Sequence, residues 1–126
     1  MCRLTSSAWL WLFVAAAPVA FSQQQNADTL TYTQHITPIL KHYCLPCHAA
    51  ASENPSGLAL DTFEYLMKGG NHGAAVVPGK PEKSYLYLKL LPDPPFGKQM
   101  ARNKKRLTKE ELKTIYDWIA QGARKD

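Results

Sequence analysis

The short stretch from Cys44 to His48 constrains this chain more than any other, because two cysteines three positions apart are followed directly by a histidine. If the stretch is helical, positions 44, 47 and 48 are i, i+3 and i+4, and their side chains project from one face. Two thiols and an imidazole on one face can bind a metal ion, support thiol redox chemistry or hold a cofactor. The rest of the sequence has to discriminate among these three kinds of site.

The C-x-x-C-H spacing is typical of covalent haem attachment. The two thiols can add to the haem vinyl groups while His48 reaches the iron from the same side. A thioredoxin-like redox pair is expected in a strand–helix–strand context, which the sequence does not show. A tetrahedral zinc site needs a second ligand pair at matching spacing, and His35, His42 and His72 do not supply it. We therefore predict that this stretch holds one covalent haem c.

The N-terminus has the pattern of a secretory signal peptide. Arg3 precedes an apolar run at 8–21, and fourteen residues are too few to cross a bilayer, which takes about 20. Ala20 and Ser22 are small residues at the positions that a signal cleavage after Ser22 requires. We predict a signal peptide at 1–22 and a periplasmic or otherwise exported protein, with an uncleaved anchor as the alternative.

Cysteine usage agrees with a cofactor site. Cleavage after residue 22 removes Cys2 and leaves only Cys44 and Cys47 in the chain. Two cysteines cannot form the disulfide framework that stabilises many small secreted domains. A covalently bound macrocycle would supply part of the core that so short a chain lacks.

The remaining sequence predicts an all-α domain at 36–126, preceded by a polar N-terminal lead at 23–35. We expect three to four helices joined by long loops, since no segment shows the alternation of a strand. The first helix is predicted to begin at Thr37, as N-cap, with Pro38 in its first turn.

Three further helices are indicated by capping residues and apolar spacing. The segment 62–68 follows Asp61 as its predicted cap, and the segment 85–91 follows Ser84. The last helix has a capping box, T-x-x-E, that starts at Thr108, and Gly122 is suited to end it. The apolar faces predicted to pack together are Ile36, Ile39, Leu40 and Tyr43 on the first helix, and Leu112, Ile115, Tyr116 and Ile119 on the last.

Five ordered pieces of sequence resemble a known family: ITPILKHYCLPCHA, GLALDTFEYLMKGG, AVVPGKPEKSYLYLKL, the methionine at position 100, and LTKEELKTIYDWIAQGA. Together they resemble the class I cytochromes c, and most closely the planctomycete-type cytochrome c domain. The resemblance implies an all-helical fold around one covalent haem, with the first and last helices crossing. It implies thioether links at Cys44 and Cys47, His48 as proximal ligand, and Met100 as distal ligand from the loop before the last helix.

The distal ligand has two candidates. Met100 is the only methionine in its loop, and a thioether favours iron(II) and suits electron transfer, although a methionine can also fill a gap in a core. The family commonly has proline after this methionine, and here Ala101 follows, which predicts a less rigid hold on the sulfur. His72, which lies among glycines, is the rival ligand, with an exposed loop histidine as its other interpretation.

Other residues are expected to complete the haem environment. A carbonyl should accept a hydrogen bond from the His48 ring N–H, and the predicted acceptor is the carbonyl of Pro55. Met67 is expected in the core rather than at the iron. The residues predicted to cover the haem face are Leu58, Leu60, Phe63 and Leu66.

A basic run precedes the last helix and contains no acidic residue between positions 98 and 109. Its charges are Lys98, Arg102, Lys104, Lys105, Arg106 and Lys109. We interpret the run either as a docking surface for an acidic redox partner or as an ordinary solvated surface. Nucleic acid is not an expected partner of an exported domain, and no permanent membrane span is expected.

These observations predict an exported monohaem c-type cytochrome that transfers electrons between redox partners. It is not expected to be an enzyme, because both axial positions are assigned and no nucleophile, general base or paired carboxylates stand out. The alternatives are a haem-based ligand-binding or sensor protein, in which Met100 leaves the iron open, and an electron-transfer subunit of a larger dehydrogenase or oxidase complex.

Overall fold

The computed structural model describes residues 28–102 and 104–126. All the elements of regular secondary structure in these ranges are helical, and loops connect them. The helices are α1 (Thr37–Tyr43), α2 (Phe63–Lys68), α3 (Tyr85–Leu88) and α4 (Lys109–Ala120). A π-helical turn, Tyr32–Ile36, runs directly into α1, and a 3-10 turn, Pro81–Lys83, precedes α3. The described residues contain four α-helices and no strand, in agreement with the prediction of an all-α domain with three to four helices.

The predicted signal peptide, 1–22, and the first part of the N-terminal lead lie outside the described residues. The part of the lead that is described is tied to the C-terminus. The backbone N–H of Tyr32 donates to the carbonyl of Arg124 at 2.9 Å, and the N–H of Leu30 donates to the side chain of Gln121 at 2.8 Å. None of the helices described is long and apolar enough to cross a membrane.

The first helical segment begins six residues earlier than predicted. Thr31 is its N-cap, because its hydroxyl accepts from the N–H of Gln34 at 3.4 Å and the π-helical turn starts at the next residue. The Thr37 hydroxyl instead donates to the carbonyl of Tyr32 at 3.0 Å, which leaves it no role as a cap. Pro38 does lie in the first turn of α1, as predicted.

Two of the predicted caps differ in the structure. Thr62 caps α2 by accepting from the N–H of Tyr65 at 3.1 Å, whereas the carboxylate of Asp61 accepts from the N–H of Ala50. Ser84 precedes α3 but does not cap it. Its buried hydroxyl accepts from the N–H of Val77 and donates to the carbonyl of Lys80, both at 2.9 Å, and so fastens the preceding loop.

The capping box of α4 is confirmed. The hydroxyl of Thr108 accepts from the N–H of Glu111 at 3.1 Å, and the carboxylate of Glu111 accepts from the N–H of Thr108 at 2.8 Å. The helix ends as expected near Gly122, which has a φ of +104° and donates to the carbonyl of Ile119 at 3.0 Å. The Glu111 carboxylate also accepts from the Tyr43 hydroxyl at 2.9 Å, and this bond joins α4 to α1.

The pKa of Glu111 reflects these contacts. Burial alone would raise it, but the hydrogen bonds from the backbone and side chain of Thr108 and from Tyr43 outweigh burial and lower the pKa. The same bond acts on its partner, since the pKa of Tyr43 is raised chiefly by the hydrogen bond to Glu111.

The buried face of α4 consists of Ile115, Trp118 and Ile119. Leu112 is half-buried at its edge, but Tyr116 is 41% exposed, so its predicted place in the core is wrong. The Tyr116 ring packs edge-on against Tyr87 on α3, with ring centroids 5.3 Å apart. Trp118 takes its place, since it is fully buried and donates its indole N–H to the carbonyl of Arg124 at 2.8 Å.

One core joins the first and last helical segments, because all four residues predicted for the first face are buried in the same cluster as the α4 face. The contact runs mainly through the π-helical turn, which packs against α4 with the rings of Tyr32 and Trp118 6.3 Å apart. Phe63 on α2 packs edge-on against the other side of Tyr32, with ring centroids at 5.3 Å. Cys44, the first residue of the Cys44–His48 stretch, packs against this core.

Candidate functional site

A cavity of about 840 Å³ opens beside the core and brings together every residue predicted to attach the haem or to bind its iron. Its wall includes all three residues of the C-x-x-C-H pattern and both candidates for the distal ligand, Met100 and His72. Most of the remaining surface is apolar, with Leu58, Leu60 and Leu86 among its residues. Pockets for small molecules and cofactors measure roughly 300–1,000 Å³, so this cavity is large enough for a large cofactor.

The Cys44–His48 stretch is a turn that follows directly on α1. The helix ends at Tyr43, and Cys44 is its C-cap. The N–H of His48 then donates to the carbonyl of Cys44 at 3.1 Å, which keeps these two residues one helical turn apart. Cys47 lines the same cavity as Cys44 and His48. The three side chains therefore lie on one side, as predicted, although the stretch lies beyond the α-helix.

The two thiols have different environments. Cys44 is half-buried, and burial raises its pKa to about 11 against the opposing effect of the Lys104 charge. Cys47 is exposed and also lines the cavity. Within the described residues, no three or more His, Cys, Asp or Glu side chains are placed to hold a metal ion between them.

His48 is held by a backbone carbonyl, but by a different one from that predicted. Its Nδ1 lies 3.1 Å from the carbonyl oxygen of Leu58, whereas the carbonyl of Pro55 accepts from the side-chain amide of Asn71 at 2.9 Å. The N–H of Leu60 donates to the carbonyl of His48 at 2.7 Å and draws this segment alongside the histidine. A ring that donates from Nδ1 keeps the lone pair of Nε2 for a metal.

Asn54 completes the contacts of this imidazole, and the sequence reasoning did not identify it. Its side-chain nitrogen donates to the carbonyl of Leu58 at 2.5 Å and lies 3.1 Å from Nδ1 of His48. The amide is itself oriented by Ser56, whose hydroxyl donates to the Asn54 side-chain oxygen at 2.7 Å. No short sequence pattern marks this role, because it depends on the turn that returns the chain to His48.

Met100 lies half-buried on the cavity wall, in the loop before α4. Its N–H donates to the carbonyl of Lys89 at 2.8 Å, and the side chain of Gln99 donates to the carbonyl of Leu90 at 2.7 Å. Both acceptors follow α3, so this helix anchors the methionine loop. Met67, by contrast, packs against the core from α2 and does not contribute to the cavity wall.

His72 is exposed but also lies on the cavity wall. Its ring stacks on Phe96, with centroids 3.9 Å apart and an interplanar angle of 16°. Lys89 lies on the same phenyl ring, with Nζ 4.6 Å from the centroid, and Tyr85 packs edge-on against it. The stack occupies one face of the imidazole, so His72 has a packing role in addition to its place on the wall.

The cavity wall carries more positive than negative charge. Lys89, Lys98, Arg102 and Lys104 contribute to it, whereas Glu53 is its acidic residue. Burial lowers the pKa of Lys89, and the Arg102 charge lowers it further. The potential in the cavity therefore favours a ligand that bears carboxylates.

The predicted haem-face residues divide into two pairs. Leu58 and Leu60 line the cavity, as expected. Phe63 and Leu66 do not, because α2 directs them into the core, where Phe63 contacts Tyr32 and Leu66 is fully buried.

Comparison with protein families agrees with this geometry. Residues 44–96 match the family model described as Planctomycete cytochrome C, which confirms the resemblance to the planctomycete-type cytochrome c domain. The match begins at Cys44, includes Cys47, His48 and His72, and ends at Phe96, before Met100. Neither the search of curated proteins nor the search of solved structures returned a match.

Proposed function

We propose, since residues 44–96 carry a planctomycete-type cytochrome c domain, that the protein is an exported monohaem cytochrome c that carries electrons between redox partners. The family suggests a haem-binding electron carrier, and it implies a covalently bound haem c. One observation carries the proposal. A large, mainly apolar cavity has the two thiols, the histidine and a methionine on its wall.

The residues on this wall fit haem c in both shape and chemistry. Cys44 and Cys47 would form the thioether bonds, and His48 and Met100 would be the axial ligands. The bound group supplies a one-electron iron(III)/iron(II) couple. The protein orients the His48 imidazole through the carbonyl of Leu58, and its apolar wall excludes water.

The charges and the helix arrangement support the finer assignment. The four cationic side chains on the wall can compensate the carboxylates of a haem. The packing of the first helical segment against α4 supports a class I arrangement, in which the first and last helices cross beside the haem. The proposed export follows from the signal-like pattern at 1–22.

The proposed partners are acidic redox proteins that dock at the basic run from 98 to 109. Lys105, Arg102 and Lys109 are exposed in the structure and available for such steering. Two other members of the run donate hydrogen bonds to backbone carbonyls of the protein itself. Lys104 donates to the carbonyls of His42 and Leu45 at the end of α1, and Arg106 donates to the carbonyl of Ala101 at 3.0 Å. The docking surface we propose is therefore smaller than the charge run itself.

A ligand-binding or sensor function is the second candidate, because the family match ends before Met100 and His72 shares the cavity wall. In that case the iron would bind an external molecule at its sixth position. The coordination state of the isolated protein discriminates between the two functions.

The test is a visible and near-infrared spectrum of purified holoprotein, oxidised and reduced. We expect a low-spin, six-coordinate haem that survives acid–acetone extraction, and a sulfur-to-iron band in the oxidised protein. Met100→Ala should abolish the band and lower the reduction potential, since the soft ligand that stabilises iron(II) is lost. Met67→Ala is the matched control, because this half-buried methionine lies away from the cavity.

Three results would contradict the proposal. Extractable haem would exclude the thioether bonds, and a wild-type protein without the sulfur band would exclude Met100 as ligand. A spectral change on His72→Ala with none on Met100→Ala would assign the sixth position to the histidine.

A further inference from the structure

Lys104 makes a contact that its place in a basic run does not suggest. Its Nζ donates to the carbonyl of His42 and to the carbonyl of Leu45, both at 2.8 Å. These carbonyls lie on either side of Tyr43 and Cys44, at the C-terminal end of α1. The last carbonyls of a helix have no partner within the helix, so a lysine there satisfies groups that would otherwise need water.

This contact joins the two parts of the chain that carry the proposed axial ligands. Lys104 follows Met100 by four residues, and Leu45 precedes His48 by three. The bonds bridge 62 and 59 residues of sequence, so they are long-range tertiary contacts. Lys105, the next residue, is exposed and makes no hydrogen bond with another described residue.

Other anchors of the methionine loop lead elsewhere. The N–H of Met100 bonds to Lys89 after α3, and the guanidinium of Arg106 bonds to Ala101 within the loop itself. Neither connects the loop to the turn that carries the thiols. Ala101 also lacks the fixed φ that a proline would give the backbone after the methionine.

We propose that Lys104 is a positioning residue that tethers the Met100 loop to the Cys44–His48 turn, and so keeps the methionine sulfur on the iron. The inference rests on the proposed function, in which Met100 is the distal ligand. Thioether bonds would fix the haem to the Cys44–His48 turn, so the distance from iron to sulfur depends on how the loop sits relative to that turn. No proline follows Met100 to fix the backbone of the loop. The tether would therefore set the distance from iron to sulfur directly.

The experiment compares three holoprotein variants, Lys104→Met, Lys104→Arg and Lys105→Met. Lys104→Met keeps a long side chain but loses the donors, Lys104→Arg keeps donors and charge, and Lys105→Met removes the same charge one residue away. We expect all three to contain haem as the wild type does. Lys104→Met should lose at least half of the sulfur-to-iron band, while Lys104→Arg and Lys105→Met retain most of it.

A second measurement reads the same effect as a rate. An external ligand such as imidazole can bind ferric iron only after Met100 leaves, so its binding reports opening of the loop. We expect Lys104→Met to bind imidazole at least tenfold faster than wild type, and Lys105→Met to bind it at the wild-type rate. A merely structural role would lower the unfolding temperature but leave both the band and this rate unchanged at room temperature.

The outcomes separate the tether from the proposed function. If the wild type shows the sulfur band and Lys104→Met leaves band and rate unchanged, the tether is wrong and Met100 ligation stands. Equal losses in the Lys104→Met and Lys105→Met variants would show a general charge effect and also overturn it. A wild type without the band would overturn both proposals. Should Lys104→Met fail to mature, Lys104→Gln, which keeps one donor group, is expected to give a smaller loss of the same kind, and a wild-type band and rate would refute the tether.

Discussion

Ile115→Ala tests the packing of α4 against the first helical segment. Ile115 is 1% exposed and lies in the core with Trp118 and Ile119. Removing most of such a side chain costs about 2–5 kcal/mol of unfolding free energy, because apolar contacts are lost and a cavity remains. Alanine is the better helix former, so any loss must come from packing rather than from helix propensity.

The size of the effect can be checked by thermal unfolding of the holoprotein, followed by circular dichroism. One kcal/mol shifts the midpoint by about 4–8 °C in a domain of this size, so we expect a fall of at least about 8 °C. Lys113→Ala is the control on the same helix, since it removes only an exposed ion pair to Asp117, worth about 0.3–0.5 kcal/mol. A loss below about 0.5 kcal/mol for Ile115→Ala would show that α4 is peripheral and would refute the packing described above.

Three further predictions concern the site and its surroundings. Asn54→Ala removes a donor from the Leu58 carbonyl, which should then accept a stronger hydrogen bond from the His48 ring. The stronger bond should lower the reduction potential, and an unchanged potential in a redox titration would contradict this. Because the folded-state pKa of Glu111 is lowered, its stabilising effect should be complete above pH 4.5 and lost as the pH falls through the lower folded value. The difference in denaturation midpoint between wild type and Glu111→Gln should therefore shrink in acid, and a constant difference would argue against it. Lys105→Glu with Lys109→Glu should slow electron transfer to an acidic partner at low salt, where the Debye length is about 30 Å, and much less at 0.15 M, where it is about 8 Å; equal rates at low salt would leave these lysines as ordinary surface.

Local patterns in the sequence were sufficient wherever a structure depends on neighbouring residues. The capping box from Thr108 to Glu111 was predicted correctly, because both hydrogen bonds lie within one helical turn. The predicted end of α4 at Gly122 was also correct. The cap of α2 was wrong by one residue, since Asp61 and Thr62 are both good caps and only the turn that brings Asp61 to Ala50 decides between them.

Amphipathic spacing identified α4 but not every residue of its buried face. Ile115 and Ile119 were predicted to be buried and are. Tyr116 and Trp118 both lie at the edges of the apolar stripe, and spacing alone does not rank them. Tertiary contacts decide which of the two is buried. Trp118 packs beside Tyr32 and donates its indole N–H to the carbonyl of Arg124, while the exposed Tyr116 packs against Tyr87.

By itself, the sequence was sufficient to predict the chemistry of this protein. Cys44, Cys47 and His48 lie within five residues, so their spacing alone indicates a covalently held haem, and the family match begins at the first of them. Only the tertiary structure decided what surrounds them. The carbonyl that holds His48 belongs to Leu58, and the lysine that joins the methionine loop to α1 is Lys104. These contacts span from ten to 62 residues, and a pairing across such distances depends on how the whole chain folds, which no short pattern records.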